Sequence, residues 1–583
     1  MYQGARNVYC RYKDIKSVEL VYDLNEKPLL FLDLGLVFPG MIIWEDSGSG
    51  EAHPLHAGLE FYGERKLARE DVVGREFRVP FGVSFATEPA RKGPQISLEG
   101  METQLVGGTM LHDGGTYRLW YPTTEPEGFV SAATKETSSR RGFDLGHLGN
   151  VLRYAESDNG VDWRLPQMEH VRMDGAPSNI VYGSMNEPEI GYGGGSVFVD
   201  PSAEADSRYK VMFTGRMSPR RQMEFAEATG QQVDPMSLMT GIPPEVAYSQ
   251  GEAFAAQFEA LASGGLPDSP ELLPDAGGQV LFGAVSPDGL SWRTLPDPIM
   301  LFMAESNNAY YDAEREACVT YIRLWHVAQR RAIGKSVSKD FSRWPFPRAL
   351  LVPELRDPIS TDFYTNAHSL YPGHEDVHLC FVARYRRGGD DCSDISVAVS
   401  LDGEIFNFPP GGPVISQEAW EWGPTAEPGA GFIIPMTALV PFGMDQMGLV
   451  YGGSNVAHKW PRTVEVEHFS RWALWDRERL VGLTAPEHGE FVTAGLILHG
   501  PQVFVNARTE MSGRIQAELL DSMGEVLPGY SFEESVPIVG DHNRALLKWR
   551  GDTDLARWVG KKIYLRFRMI QARLYSLTAE DSS

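Results

Sequence analysis

The chain has 583 residues, 42% hydrophobic and 22% charged, with 60 Gly, 39 Pro and a formal net charge of −25. That length exceeds one ordinary domain, and the Gly, Pro and aromatic content favours many short strands and turns over long helices. The negative charge excludes nucleic acid and anionic membrane surfaces as partners, since both are polyanions, and no stretch approaches the ~18 apolar residues of a membrane span.

Residues 1–95 read as a β-rich N-terminal segment, with strand-like runs at Val18–Tyr22, Leu29–Leu32, Leu36–Trp44 and Glu76–Phe85. These form either a small sandwich or strands that complete another domain's sheet. Met1 to Leu20 carries no apolar signal block. Four scattered cysteines, Cys10, Cys318, Cys380 and Cys392, show neither disulfide density nor metal-ligand spacing. The expectation is a cytoplasmic protein with buried thiols at Cys318 and Cys380; a mature secreted form would look the same.

From about residue 96 to 483 a unit repeats five times, as an inner strand, a hairpin and a second strand. The pairs are Val106–Leu111 with Thr116–Tyr121, Ser196–Val199 with Tyr209–Phe213, Asn308–Tyr311 with Ala317–Arg323, Ala367–Tyr371 with Val377–Tyr385, and Gly431–Val440 with Gly448–Gly452. A short phrase recurs after a further strand: Ser157-Asp158-Asn159-Gly160-Val161-Asp162-Trp163 and Ser286-Pro287-Asp288-Gly289-Leu290-Ser291-Trp292. Degenerate copies start at Ser338 and Ser400. Asp bonds backbone amides in such a turn, Gly takes a positive φ at little cost, and the aromatic residue packs between sheets. One small sheet cannot bury both faces alone, so radial repetition follows, and five blades is the natural count.

Two insertions interrupt the repeat. Glu125–Gly149 is polar and loop-like, and Met217–Gly278 contains a helical pattern at Glu252–Leu261. The second insertion is a lid, a subunit contact that makes a homo-oligomer, or a disordered segment. After a joining stretch at Glu465–Leu483, residues 484–583 alternate in short strands of the number and spacing of a β-sandwich.

Together the Ser-x-Asp-Gly-x-x-Trp turns, Asp113–Tyr121 and the Val197–Pro201 with Arg208–Lys210 hairpin resemble the five-bladed β-propeller glycoside hydrolases, the superfamily of invertases, levansucrases, arabinanases and β-xylosidases. The resemblance implies an all-β chain, a five-bladed propeller over residues 96–483 followed by a C-terminal β-sandwich over 484–583, and a carbohydrate substrate. It implies three carboxylates at the starts of the inner strands of blades one to three. Here the sequence departs: blade one offers Val106-Gly107-Gly108-Thr109 where an Asp is expected, with Glu102 upstream.

Hydrolysis of an acetal needs one protonated carboxyl to donate to the leaving oxygen and one ionised carboxylate to attack or to activate water. Acids upstream of inner strands are Glu102, Glu187, Glu189, Glu305, Asp362 and Glu427. Glu305, Glu187 and Asp362 are the catalytic candidates, with Glu305 first among them. Asn307, Asn308, Asn366 and His368 could bond hydroxyls, Trp422 could stack on a sugar face, and Arg323, Arg384 and Glu427 could complete the pocket. Each has a structural alternative, from a solvated charge to a satisfied blade residue.

No cofactor is expected. Asp390, Asp391 and Asp394 could hold a structural calcium, but a solvated acidic loop is the better reading. His374-Glu375-Asp376-Val377-His378 has metal-like spacing but falls in a hairpin, so a solvated turn is expected in place of a zinc site. The first functional expectation is hydrolysis of a furanoside or similar exo-linked bond. Two others stay open: a phosphorylase, which requires Arg323, Arg384 and Arg386 to converge near Glu305, and a non-catalytic carbohydrate-binding propeller.

Overall fold

In the computed structural model the described residues are 21–39, 41–46, 52–54, 72–77, 80–101, 107–124, 149–173, 175–239, 273, 277–304, 306–327, 329–417, 431–459, 466–521, 525–551 and 555–581. They form two compact units, residues 89–398 with 413–474, and residues 1–88 with 399–412 and 475–583.

The first unit holds five antiparallel sheets in chain order. Blade one runs Thr109–Asp113, Thr116–Thr124, Asn150–Ser157 and Ile180–Gly183; blade two Gly195–Val199, Tyr209–Arg216, Gln279–Ser286 and Arg293–Thr294. Blade three is Asn307–Asp312, Ala317–Val327, Arg330–Ser338 and Arg348–Leu351, and blade four is Thr361–Tyr371, His374–Arg386 and Ser393–Ser400. Blade five takes Phe432–Pro435, Gln446–Ser454 and His468–Asp476, then borrows Arg91–Ile96 from the N-terminal segment as its outer strand. All five expected strand pairs are present.

A belt of hydrogen bonds joins each inner strand to the next. The Val197 amide donates to Thr109 Oγ1 at 3.0 Å, that of Ala309 to Ser196 Oγ at 3.1 Å, that of His368 to Asn308 Oδ1 at 3.0 Å, and that of Leu439 to Ser369 Oγ at 3.1 Å. The belt closes where the Thr437 amide donates to the Gly108 carbonyl at 3.0 Å and the Met110 amide donates back to Thr437. Small hydroxyl and amide side chains let strands approach there, while the blade faces bury Trp120, Tyr182, Tyr192, Phe213 and Phe282 in one cluster. Each such side chain contributes roughly 1.5–3 kcal/mol by leaving water.

The repeated phrase ends the third strand of blades one to four. Ser286 Oγ accepts from the Gly289 amide at 2.9 Å and Asp288 Oδ1 from Leu290 and Ser291 at 2.8 Å; Ser157 and Asn159, then Ser400 and Asp402, repeat the arrangement. Gly289 sits at φ +76°, and its carbonyl accepts from Trp292 of its own turn and from Trp120 of blade one. The serine is therefore as much a part of the device as the aspartate.

In the second unit, Val481–Val492, Gly495–Leu498, Gln502–Leu520, Asp541–Leu546 and Lys562–Glu580 build the β-sandwich, joined by Val21–Leu24, Leu29–Leu30 and Ser84–Thr87. The N-terminal strands thus complete other sheets, apart from Met41–Asp46, Ala52–Pro54 and Val72–Phe77, which pair among themselves. Lys562–Glu580 buries Ile563, Leu565, Phe567 and Met569, then Ala572 and Leu574. The switch from odd to even positions falls at Gln571, whose φ is +43°, where an extra residue turns the strand over.

The helical pattern expected at Glu252–Leu261 lies outside the described residues. The same insertion instead shows a helix at Pro219–Thr229, with Pro219 in its first turn and Gly230 at φ +68° closing it. Among the described residues no helix is long and apolar enough to cross a membrane.

Candidate active site

In each blade the inner strand begins, and the second strand ends, at the end of the ring opposite the Ser-x-Asp turns. In blade three the second strand reads Tyr321-Ile322-Arg323-Leu324-Trp325, and period-two alternation puts Tyr321, Arg323 and Trp325 on one face. That face meets blade four. Arg323 is 2% exposed; its backbone amide donates to the Ser306 carbonyl at 3.0 Å and its guanidinium to the Tyr364 carbonyl at 3.3 Å.

A second arginine arrives through the short connection that pairs Val327 with Arg330. The Arg331 and Arg323 guanidinium carbons lie 4.9 and 4.6 Å from the Trp325 ring centre, and 5.0 and 4.8 Å from that of Tyr364. Two cations therefore share the same two aromatic rings. Tyr364 in turn packs edge-on against Tyr385, Phe432 and His458, and His458 stacks on Phe432 at 4.6 Å. Burial pulls the His458 imidazole down to about 4; Asp391 opposes the shift, and Arg331 and Arg323 add to it. His458 is neutral at pH 7.

Asp362 and Glu187 do not come together. Glu305 lies outside the described residues, as do Trp422, Glu427 and Glu102. Asp362 is fully buried; its carboxylate accepts from the Arg331 amide at 3.1 Å and the Arg331 guanidinium at 2.8 Å, with Arg387 at 3.7 Å. It is committed to an ion pair. The Glu187 carboxylate accepts from Thr294 on the outermost strand of blade two, so it faces the rim of the ring and not its hub.

The other candidates divide in the same way. His368 is buried between Tyr310 and Tyr321, with ring centres at 4.3 and 4.4 Å, and its Nε2 lies 3.2 Å from His378 Nδ1. Burial, then His378, holds it well below the ordinary histidine value. Asn308 belongs to the belt, and Asn366 meets the Cys380 thiol. Arg384 donates to Asp357 at 2.6 Å, and Arg386 is shared by Asp390 and Asp394, so Arg323, Arg384 and Arg386 do not converge. Asn307 and Asn366 stand apart from the others. Asn307 is 6% exposed, at the first position of an inner strand, and Asn366 is 1% exposed; in both, neither the amide nitrogen nor the oxygen has a hydrogen-bond partner among the described residues.

In the acidic loop Asp390 is exposed, as expected of a solvated turn, while Asp390 and Asp394 hold Arg386, and Asp391 accepts from Tyr385 and the Lys459 amide. His374 and His378, expected in a solvated turn, are both buried. Among the described residues no group of three or more His, Cys, Asp or Glu is placed to hold a metal ion. Cys318 and Cys380 are buried free thiols, as the sequence indicates. Sequence reading missed Arg331 and Trp325, although the alternation through Trp325 and the short turn to Arg331 were there to find them.

No protein-family model and no curated protein matches the chain. Among solved structures it is similar to a β-1,2-mannobiose phosphorylase from Listeria innocua, at 12% identity over 69% of this chain and 98% of that one, with a TM-score of 0.38. It is also similar to an endo-arabinase from Bacteroides thetaiotaomicron, at 11% identity over 67% of this chain and 98% of that one, TM-score 0.34. A thermostable family-43 glycoside hydrolase gives 11% identity over 66% and 92%, TM-score 0.36. At these TM-scores the likenesses carry no argument, and the architecture rests on the ring's own hydrogen bonds.

Proposed function

We propose that this chain cleaves glycosidic bonds at the end of the ring where the inner strands begin, with Glu305 as the acid that protonates the leaving oxygen. The observation that carries the reading is Asn307. A buried amide costs free energy when both its donor and its acceptor go unused, and such a group is offered where a ligand hydroxyl completes it. Asn307 stands two residues after Glu305 in the sequence, on the inner strand of blade three.

In this reading Asp362, bonded to Arg331, holds that arginine against the rings, and Glu187, bonded by Thr294 at the rim, stays outside bond cleavage. Glu305 in its protonated form donates to the glycosidic oxygen as that oxygen leaves the anomeric carbon, and a water molecule that gives a proton to a second, ionised carboxylate forms the new bond to that carbon, with Glu102 and Glu427 the remaining acids for that role. The test is a panel of aryl glycosides and oligosaccharides assayed with wild type and Glu305→Gln. The reading expects turnover of at least one terminal sugar, reduced about 10²–10⁴-fold by the substitution. Turnover that survives intact, or none with any substrate, contradicts it.

A further inference from the structure

The chain on either side of Glu305 is gripped from four directions. From blade two, Thr214 Oγ1 donates to the Ala304 carbonyl. From blade four, the Thr365 hydroxyl shares a hydrogen bond with that of Ser306, and within blade three the Arg323 amide donates to the Ser306 carbonyl at 3.0 Å. The fourth grip comes from the insertion. Val233 bridges Leu301 in parallel, the Asp234 amide donates to the Leu301 carbonyl at 2.9 Å, and Asp234 Oδ2 accepts from the Met303 amide at 3.4 Å.

We propose that Asp234 is a positioning residue for the bond cleavage described above: its carboxylate, carried by the insertion, holds the Met303 amide and so fixes the stretch of chain from which Glu305 works. The inference rests on that reading for the role of Glu305. Asp234 Oδ1 accepts from the Met236 amide at 3.2 Å and caps the short helix Pro235–Met239. Ser, Thr or Asn would cap that helix as well. The second oxygen, turned to Met303, is the use that only a carboxylate serves, because the amide end of an Asn would set one N–H donor against another. Held in place, an acid meets its leaving oxygen without first being ordered, and a small misplacement is costly in rate.

The same bonds make the brace sensitive to pH. A neutral carboxyl keeps one good acceptor and turns its other oxygen into a donor, so protonation loses one of the two grips. Burial pushes the Asp234 carboxyl up to about 6, the Met236 and Met303 amides oppose that shift, and among the described residues no charged side chain contributes. Its surroundings are neutral: Ser237 Oγ bonds Gln222 of the helix Pro219–Thr229, and Leu301 and Met303 are buried apolar residues. Along the chain, the ionisable residue nearest Met303 is Glu305 itself.

The test compares the full chain with Asp234→Asn, which keeps the size and the cap and loses the second acceptor, in two measurements. The first is amide exchange at Met303, expressed as protection relative to unstructured chain. Wild type should lose protection about tenfold or more between about pH 7.5 and about pH 5, and the variant should stand at the lower level throughout. The second is kcat and KM over the same range with the glycoside that wild type turns over best. The variant should lower kcat about tenfold or more and leave KM within about twofold, since Asp234 acts on the chain and not on the sugar. It should also lack the fall in kcat that wild type shows as the pH drops through about 6. A catalytic acid loses activity as the pH rises, so that limb is not the titration of Glu305. Met303 protection that ignores both pH and substitution, or a variant that keeps the wild-type limb, overturns the proposal. Should the variant fail to fold, the exchange of wild type alone decides. Release of Met303 at low pH in a chain that turns over no glycoside keeps the brace and removes the function; turnover with Met303 protection unmoved does the reverse.

Discussion

The two ends of the ring are built on opposite plans. At one end the amides of the Ser-x-Asp turns are satisfied within seven residues by Ser286 and Asp288, and what reaches across from other blades, Trp120 to the Gly289 carbonyl and Trp472 to the Gly160 carbonyl, caps a turn already closed. At the other end the bonds run between blades, from Arg331 to Asp362 and from Arg323 to Tyr364, and Asn307 is left with none among the described residues. An end that closes locally can only hold the fold. An end whose polar groups depend on distant partners, or lack them, has capacity to hold something else.

Removing the Asp362 carboxylate sharpens this contrast most. Asp362→Ala strands the half-buried Arg331 guanidinium and its amide, and a loss of about 3 kcal/mol in urea unfolding is expected, because breaking one side of such a pair leaves an uncompensated charge. A stable, merely inactive variant would instead restore Asp362 to the catalytic group.

At the turn end, Gly289→Ala forces a side chain into a left-handed conformation, with its Cβ 2.7 Å from the Trp120 ring. A cost of about 2–3 kcal/mol follows from strain and overlap together, read as a shift in the unfolding midpoint. Between the two ends, Asn308→Ala leaves the buried His368 amide without its acceptor and breaks one bond of the belt. About 1–2 kcal/mol is expected from that loss. A neutral result would mean that the ring closes without its belt.

At neutral pH the smallest effect is that of His458, which shows only as the pH falls. With His458 held at about 4 in the folded chain against an ordinary value of 6.5, the unfolded chain takes the proton first as the pH falls. Stability is therefore constant above pH 6.5 with respect to this group and is lost progressively as the pH drops from 6.5 to about 4. His458→Gln should flatten that part of a stability-against-pH curve, and a slope unchanged by the substitution would show that the imidazole is not held neutral.

The turn end was readable in the sequence because its chemistry is local: Ser, Asp and Gly at fixed offsets state the turn, and strand-length alternation states the blades. Arg91–Ile96 could not be assigned to blade five in advance, since nothing in those residues names a partner some 380 positions on at Ser470 and Arg471. Residues 484–583 read as a series of short strands, whereas a bulge between Thr509 and Arg514 keeps Gln502–Leu520 one strand. The strand-start end was only half legible. Arg323 was visible, but which acid is committed and which is not depends on cross-blade pairing: Asp362 and Arg331 are 31 residues apart in sequence.

Which end of the ring works can be measured directly by amide hydrogen exchange on Glu305→Gln, with and without the glycoside that wild type turns over best. Slowed exchange at Ser306–Asn308 and Thr361–Asn366, with the turns at Ser157–Trp163 and Ser286–Trp292 unchanged, is the predicted result. Protection at those turns, with none at the strand starts, would contradict the account.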